Sequence, residues 1–355
     1  MREPTIYDVA KEAGVSASTV SRALQGKNRV SDNTRAKVFE ASARLGFTAS
    51  KEASRLRSGK TGRIALIVGN HLSGWYSSEL AEGVYSALCE EGYDLLSYRV
   101  ADKKQRAEFF SSMPVKRNAD AMIISSFALT DQEGQTLRST GMPIVGVNTM
   151  HLDDRYSNAS IGVDEVTTTR DLIRRLIAIG HTNIAYLKRT QFNKDFVWDA
   201  DQRITGYHLG LEEGAIPRRD DYEIAIPYQG DIGKLAASAI LALTPRPTAV
   251  CCISDEVAIC LIHELRRLGI RVPNDISVVG FDDRELAGPL GISTVHHEPN
   301  AYGRTAAQMA ICLANGNKLP HRRITAKATF ILRETMGPAP KISGRQRLAP
   351  LKADS

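Results

Sequence analysis

Short apolar runs alternate with amphipathic stretches between residues 64 and 280, and this alternation constrains the fold more than any other feature of the 355-residue chain. Strands that alternate with helices form parallel sheets covered by helices on both faces. So many strands do not fit one compact sheet, and the pattern therefore predicts an α/β body of two doubly wound lobes. The predicted strands are 64–68, 93–98, 121–125, 144–147, 184–187, 222–226, 249–253 and 277–280, and the predicted helices include 78–91, 167–179, 204–213, 233–243 and 256–268.

The body lacks the motifs of common catalytic and nucleotide-binding sites. It contains no G-x-G-x-x-G, P-loop, H-E-x-x-H or G-x-S-x-G segment. Asp282 and Asp283 could suggest a metal, and His71, His181 and His208 could suggest a base. Paired aspartates after a strand are more often a turn cap or a ligand clamp, and scattered histidines are more often structural. The sequence therefore predicts a binding body with no catalytic residue, cofactor or metal, whose ligand lies beyond the carboxyl ends of the strands.

The first 46 residues have the pattern of a helix-turn-helix domain. Thr5 and Asp8 have the spacing of a capping box that begins a helix, and Gly14 is placed to end it. Ser16 can cap a second helix after a short turn, and a third helix follows Ser31. The predicted core of this three-helix domain consists of Val9, Val20, Leu24, Val38 and Leu45.

The outward face of the second predicted helix suits a DNA major groove. Ala17, Ser18 and Ser21 are small, so they let the helix approach the bases, and Arg22 can fork to guanine O6 and N7. A solvated surface arginine is the alternative interpretation. The charge distribution favours DNA, because residues 1–62 carry 12 Lys/Arg and 6 Asp/Glu and thus the whole formal excess of +6.

The cysteines and the hydropathy indicate a reducing compartment. The five cysteines form no C-x-x-C pair and lie mostly in apolar runs, which argues against disulfides and zinc. No apolar stretch reaches the roughly 18 residues of a membrane span. We therefore expect a cytoplasmic protein with no membrane contact.

The head resembles that of the lactose-repressor/galactose-repressor family over its whole length and without a gap. The resemblance rests on TIYDVAKEAGVSxxTVSR at residues 5–22 and VSxxTRxxV at residues 30–38. It implies that Ala17, Ser18 and Arg22 contact base edges, with only apolar contact from Ala17. It also implies a further set of DNA contacts, mainly to phosphates, which comprises Thr5, Tyr7, Ser16, Thr19, Ser21, Asn28, Ser31 and Thr34.

Residues 47–62 correspond to the hinge and linker of that family. There the hinge helix folds only on the operator, beside its dimer mate in the minor groove, where a leucine opens the central base step. Leu56 occupies that place and Ala53 lies on the same helix. Ala49-Ser50 replaces the usual Pro-Asn, which makes the entry to the helix less rigid. A flexible basic linker is the alternative that the composition alone favours.

The body resembles the same family, whose effector domain has the fold of periplasmic sugar-binding proteins. The matching segments are LxxxGHxxIA at 176–185, RxxGY at 203–207, PTAV at 247–250, SDExA at 254–258, VPxDISVVGFDD at 272–283 and LRET at 332–335. We expect one lobe from 63–162 plus 296–325 and the other from 163–295 plus 326–336. Residues 337–355 have no leucine heptads, so we expect a flexible tail and a dimer.

The resemblance also implies a set of effector contacts in the cleft between the lobes. As alternatives, Trp75 or Tyr76 caps a helix that starts at Ser78, and Arg203 and Asp282 form a structural ion pair between the lobes. Two departures, Ile232 in place of an aromatic and Thr168 in place of glycine, leave the identity of the effector open. The implied contacts are Trp75, Tyr76, Ser125, Asp164, Arg203, Asp255, Asp282 and His297.

We therefore expect a transcriptional regulator, in particular a repressor, whose binding to double-stranded DNA is controlled by a small molecule, in particular a sugar. A homodimer formed through residues 75–91 and 101–114 would bind a pseudo-palindromic operator with half-sites about one helical turn apart. A DNA-binding dimer with no effector and a sugar-modifying enzyme are the alternatives.

Overall fold

The structure is a computed structural model in which residues 1–62 and 63–355 form two compact units, here called the head and the body. It describes residues 4–24, 30–47, 60–69, 72–100, 102–116, 118–125, 129–149, 156–190, 202–227 and 230–341.

The head contains the three helices α1 (Ile6–Ala13), α2 (Ala17–Leu24) and α3 (Asp32–Leu45). The carboxylate of Asp8 accepts hydrogen bonds from both the N–H and the hydroxyl of Thr5 at 2.7 Å, which fixes the start of α1. Gly14 ends α1 with a φ of 65°, a left-handed conformation that glycine adopts without strain. The buried core of the head contains the predicted Val9, Val20 and Val38, with Ala10, Ala23 and Ala41 beside them. The predicted Leu24 and Leu45 are only partly buried and pack against this core.

The body alternates helices and strands, as the sequence predicts. Its first half contains β1 (Arg63–Val68), α4 (Trp75–Glu90), β2 (Asp94–Arg99), α5 (Lys103–Lys116), β3 (Ala121–Ser125), α6 (Asp131–Ser139), β4 (Ile144–Val147), β5 (Ala159–Val163), α7 (Glu165–Ala178) and β6 (Ile184–Arg189). Its second half contains α8 (Gln202–Glu213), β7 (Glu223–Ile226), α9 (Ile232–Leu241), β8 (Ala249–Cys252), α10 (Asp255–Arg267), β9 (Ser277–Val279), β10 (Thr294–His296), α11 (Pro299–Ala314), β11 (Arg323–Ala326) and β12 (Thr329–Ile331).

The strands form two parallel sheets, one in each lobe. The sheet of lobe 1 has the order β11-β5-β4-β3-β1-β2, and the sheet of lobe 2 has the order β7-β6-β8-β9. All of their pairings are parallel, and β10 pairs with β12 in a separate antiparallel ribbon. The predicted fold class, an α-helical head and an α/β body of two parallel-sheet lobes, is confirmed.

The alternation of side chains along β1 explains why lobe 1 has a core on each face of its sheet. Ile64, Leu66 and Val68 pack into one cluster with α4 and α11, whereas Ala65 and Ile67 pack into the opposite cluster with α5 and α6. Successive residues of a strand point to opposite faces, so a strand covered on both sides is apolar throughout. Lobe 2 is built in the same way, with one cluster on each face of its sheet.

Several predicted boundaries are wrong by one to three residues, and some elements were not predicted. The helix predicted from Ser78 begins at Trp75, and Tyr222 belongs to a 3₁₀ turn rather than to β7. Residues 337–341, predicted to belong to a flexible tail, contact lobe 2, because the carbonyl of Gly337 accepts from Ser277 Oγ at 3.1 Å and the N–H of Ala339 donates to Ile179 O at 3.0 Å. The rest of the predicted tail lies outside the described residues. The elements α5, α6, β5 and α11, and the short strands β10–β12, were not predicted as such.

Candidate functional site

The outward face of α2 carries the three residues that we predicted to contact base edges. Ser18 and Arg22 are exposed and Ala17 is partly exposed. Arg22 Nε donates to the carbonyl of Ser18 at 3.1 Å and Arg22 Nη2 donates to Ser18 Oγ at 3.2 Å. The guanidinium therefore lies back along the helix, and within the described residues its Nη1 makes no hydrogen bond.

The first turns of α2 and α3 present two matching pairs of hydroxyls. Ser16 Oγ accepts from the N–H of Thr19 at 3.2 Å, and Ser31 Oγ accepts from the N–H of Thr34 at 3.3 Å. In each pair the serine and threonine hydroxyls are also within 2.9 Å of one another. Hydroxyls at the positive end of a helix dipole are suited to contact phosphates.

The other predicted DNA contacts differ in their exposure to solvent and in the hydrogen bonds that they already make. Tyr7 is 73% exposed, and Ser21 is partly buried. The hydroxyl of Thr5 donates to Asp8, so this residue already has a structural role in the start of α1. Three further predicted contacts lie outside the described residues, namely Asn28, Ala53 and Leu56.

His297 lies at the centre of the cleft between the two lobes and is only 3% exposed. The ring centroids of Trp75 and Tyr76, at the start of α4 in lobe 1, lie 5.8 and 6.2 Å from that of His297. Phe281 of lobe 2 lies at 5.6 Å and Tyr302 of α11 lies at 6.0 Å. Among the described residues, His297 Nδ1 is buried and makes no hydrogen bond. Four aromatic rings and one polar nitrogen thus meet where the lobes face each other.

Asp282 follows β9 in an unusual backbone conformation that directs its carboxylate to His297. Its φ is 107° and that of Asp283 is 55°, both in the left-handed region that residues other than glycine rarely adopt. Asp282 Oδ1 lies 3.2 Å from His297 Nε2. Strain of this kind costs about 1–3 kcal/mol per residue and is concentrated at binding sites.

Arg203 is a cation of the cleft that is held by several partners at once. Its Nη1 donates to the carbonyl of Ile253 at 2.7 Å and its Nη2 donates to Glu165 Oε1 at 2.8 Å. The guanidinium carbon also lies 3.6 Å from the ring centroid of Phe281. Burial by itself would lower the pKa of Arg203, but the carboxylates of Glu165 and Asp282 raise that pKa above its ordinary value. The arginine is therefore charged and held in one orientation.

Two of the predicted effector contacts have mainly structural roles in this structure. Asp255 has no exposed surface, and its carboxylate accepts from Thr294 Oγ1 at 2.6 Å and from the N–H of Arg284 at 2.7 Å. Both oxygens of Asp255 therefore have partners inside lobe 2, and an effector contact from this residue stays a prediction. Asp164 caps α7 by accepting from the N–H of Thr167 at 2.9 Å. Ser125, at the end of β3, is 2% exposed.

The sequence interpretation missed several residues of the cleft. Glu165 pairs with Arg203, and Arg333 donates to Asp283 Oδ1 at 2.7 Å. Glu165 directly follows the predicted Asp164, and Arg333 lies inside the LRET segment. Their partners, Arg203 and Asp283, are 38 and 50 residues away in sequence. Also missed were Phe281, Tyr302 and Arg284. Ile232, in contrast, packs against the core of lobe 2.

The histidines considered as possible bases have structural partners. The two ring nitrogens of His181 lie 2.9 Å from Thr248 Oγ1 and from the carbonyl of Gly337, and burial lowers the pKa of His181. His208 Nε2 lies 2.6 Å from Glu223 Oε1. His71 lies outside the described residues.

The part of the chain that the structure describes has neither a metal-binding cluster nor a membrane-spanning helix. It contains no group of three or more His, Cys, Asp or Glu side chains arranged to hold a metal ion. It also contains no helix with the length and apolar content needed to cross a membrane.

Comparison with known proteins defines the class to which this fold and these sites belong. Residues 5–50 match the bacterial regulatory proteins of the lacI family, and residues 173–336 match a periplasmic binding protein-like domain. The HTH-type transcriptional repressor PurR of Vibrio cholerae is 31% identical over 315 residues, which are 86% of this chain and 90% of the relative. Catabolite control protein A of Priestia megaterium is 29% identical over 283 residues, 80% of this chain and 83% of the relative.

Solved structures agree on the fold. A Lac repressor dimer bound to operator and an anti-inducer has a TM-score of 0.75 and 22% identity, covering 94% of this chain and 99% of its own. A complex of the transcriptional regulator CelR with cellobiose has a TM-score of 0.67 and 24% identity, covering 94% of this chain and 100% of its own. The chain belongs to the LacI family of DNA-binding transcriptional regulators, which confirms the resemblance seen in the sequence.

Proposed function

We propose that this protein is a transcriptional repressor that binds a pseudo-palindromic operator as a homodimer, and that a sugar-type effector in the cleft controls its affinity for DNA. The head supplies recognition through Ser18 and Arg22, with the hydroxyls of Ser16 and Ser31 on phosphates. Relatives named as transcriptional repressors support the sign of regulation. The body supplies control rather than catalysis.

The observation that carries the sugar proposal is the combination of aromatic rings with paired charged groups in one cleft. Trp75 and Tyr76 offer ring faces on which a sugar ring can stack. Asp282 offers carboxylate acceptors and Arg203 offers donors, and each sugar hydroxyl can both donate and accept. His297 Nδ1, buried and without a hydrogen bond to the described residues, supplies one further polar contact. Ligand sites of this kind are mostly apolar, with a few polar groups that fix orientation.

Control of DNA binding would follow from closure of the lobes around the effector. Trp75 and Tyr302 belong to lobe 1, whereas Arg203 and Phe281 belong to lobe 2, so a ligand bound among them contacts both. A change in the angle between the lobes alters the spacing of the two hinge segments in a dimer. A typical coupling of about 1–3 kcal/mol changes operator affinity roughly 5- to 150-fold.

A homodimer through lobe 1 supports this mechanism. Tyr85 on α4 is 53% exposed although it is a large aromatic side chain, and α4 belongs to the surface that we expect to meet the second copy. Two heads in a two-fold dimer contact half-sites about one helical turn apart.

The proposal is tested with the full-length protein and a panel of sugars and nucleosides. A ligand of the native state raises the melting temperature, and operator affinity is then measured with and without each compound that does so. We expect at least one sugar to raise the melting temperature and to change the affinity for the operator. We expect the Asp282→Asn variant to show neither change. Asp275→Asn is the matched control, because Asp275 is a carboxylate of the same lobe that pairs with Arg271 away from the cleft. If only nucleosides act, the sugar proposal is wrong. If no compound acts, the body is a dimerisation scaffold.

A further inference from the structure

The charged groups that line the cleft mostly have a hydrogen-bonded partner of opposite charge. Arg203 donates to Glu165 at 2.8 Å. Asp283 accepts from Arg333 at 2.7 Å, and its other oxygen lies 3.0 Å from His296 Nδ1. The charges of these groups are therefore neutralised by a neighbouring side chain before any ligand binds.

Arg284 differs from these groups. Among the described residues its guanidinium makes no hydrogen bond, and its closest carboxylate oxygen is Glu256 Oε2 at 3.6 Å, beyond hydrogen-bonding distance. The Glu256 side chain is 53% exposed and lies equally far, 3.6 Å, from Arg189 Nη2, so one solvated carboxylate faces two guanidinium groups. The donor fork of Arg284 is thus available, with five N–H groups in one plane.

The main chain fixes where this fork lies. The backbone N–H of Arg284 donates to the buried carboxylate of Asp255 at 2.7 Å, which holds the residue at the carboxyl edge of the lobe 2 sheet. Its guanidinium carbon lies 5.9 Å from the ring centroid of Trp75, which belongs to lobe 1. Arg284 therefore faces, across the cleft, the aromatic ring on which the proposed effector stacks. The side chain is 32% exposed, so closure of the lobes would remove a cation from water.

We propose that the effector is an anionic sugar, whose carboxylate or phosphate is received by Arg284. This inference rests on the proposed function of the cleft. An anion bound in a bidentate manner neutralises the guanidinium as the lobes close. A neutral sugar leaves the cation partly desolvated and with no hydrogen-bonded anion, since Glu256 lies 3.6 Å away and is itself solvated, and such a group opposes closure. Arg284 thereby selects acidic sugars over neutral ones of the same shape.

The test compares ligands that differ only in charge. Glucose, gluconate, glucuronate and glucose 6-phosphate are titrated into the full-length dimer at pH 7, and the dissociation constant of each is measured by calorimetry. We expect at least one anion to bind at least tenfold more tightly than glucose, and the carboxylate and phosphate compounds identify which anionic group the site prefers. The affinity of the anion should fall with rising salt.

Variants distinguish a direct contact between Arg284 and the anion from the general effect of losing one positive charge in lobe 2. Arg284→Gln should weaken binding of the preferred anion about 10- to 100-fold, as expected for loss of hydrogen bonds to a charged group. The same variant should not weaken binding of glucose and should strengthen it, because the desolvated cation that opposes closure around a neutral sugar has been removed. Arg284→Lys keeps the charge but loses the planar set of donors. Its affinity for the anion should therefore lie between that of wild type and that of Arg284→Gln. Arg271→Gln is the control, because Arg271 is an arginine of the same lobe whose partner is Asp275. The unliganded melting temperature checks that each variant folds.

The outcomes distinguish this inference from the proposed function. If glucose binds as tightly as every anion, or if Arg284→Gln weakens neutral and anionic ligands equally, the anionic effector is ruled out while a sugar effector stands. If no sugar of either kind binds, the proposed sugar effector and this inference both fail.

Discussion

The Cβ atom that Gly303 lacks would lie 2.3 Å from the main-chain carbonyl oxygen of Leu80. The helices α4 and α11 therefore touch backbone to backbone, and Gly83 makes the reciprocal contact with the carbonyl of Asn300, where a Cβ would lie at 2.0 Å. Because α4 begins with Trp75 and α11 carries Tyr302, this close crossing fixes two of the rings around His297. A helix pair that approaches so closely has no room for a methyl group.

We expect Gly303→Ala to lower the free energy of unfolding by about 1–3 kcal/mol, because the added methyl group forces the helices apart. Chemical denaturation of the full-length protein measures the change. Gly288→Ala is the control, since a Cβ at Gly288 meets no atom within 4 Å. Equal stability of the two variants would contradict the backbone contact.

The second prediction concerns recognition of DNA. Arg22→Ala should weaken binding to the specific operator about 10- to 100-fold, because a bidentate contact to guanine contributes about 1–3 kcal/mol. Binding to unrelated duplex DNA should change much less. Arg44→Ala is the control, because it removes the same charge from α3, where Arg44 pairs with Glu12 and Glu40. Fluorescence anisotropy measures the affinity of both variants for the specific and the unrelated duplex. A loss that is the same on both duplexes would place Arg22 on phosphate rather than on a base.

The sequence predicts the repetitive parts of this fold well, because apolar periodicity reports burial directly. It fails where the deciding contact is distant. β11 lies at the edge of its sheet with a half-exposed pattern and pairs with β5 about 160 residues upstream, so no apolar run marks it. Ser78 has the appearance of an N-cap, yet its hydroxyl donates to the carbonyl of Trp75 at 2.9 Å from inside the helix, and Gly74 is the true cap.

The same limit applies to the cleft. The resemblance to the family brings Trp75, Arg203, Asp282 and His297 to the cleft, and the structure gives the geometry that joins them. The sequence could not reveal that the carboxylate of Asp255 is hydrogen-bonded inside lobe 2, since its partner Thr294 lies 39 residues away. Nor could it identify Arg284, because an arginine without a hydrogen-bonded partner is visible only when its neighbours are known.

The third prediction follows from the burial of Asp255, which raises the pKa of its carboxyl to about 6. Between pH 4 and pH 6 the native state binds more protons at this site than the unfolded state, so the contribution of Asp255 to stability falls as the pH rises. The difference in free energy of unfolding between Asp255→Asn and wild type should therefore shift in favour of the variant by up to about 3 kcal/mol from pH 4 to pH 7.

Asp275→Asn is the control for this pH series. The side chain of Arg271 lowers the pKa of Asp275, so Asp275 contributes its stability above the pKa of the unfolded state and loses it only at lower pH. The difference in free energy of unfolding between Asp275→Asn and wild type should therefore stay constant between pH 5 and pH 7. If the Asp255→Asn difference is equally constant, Asp255 is not the buried acid that the structure indicates.

The last prediction concerns the ion pair between Arg203 and Glu165, both of which have side chains that are only 13% exposed. Removing one partner leaves the other charge buried, whereas removing both does not. A double-mutant cycle with Arg203→Met and Glu165→Gln should therefore give a coupling energy of about 1–3 kcal/mol in chemical denaturation. The same cycle on the exposed pair Arg271 and Asp275 should give less than about 1 kcal/mol. Equal coupling in the two cycles would mean that water reaches Arg203 freely, and the cleft would then lack the fixed cation on which the proposed ligand site depends.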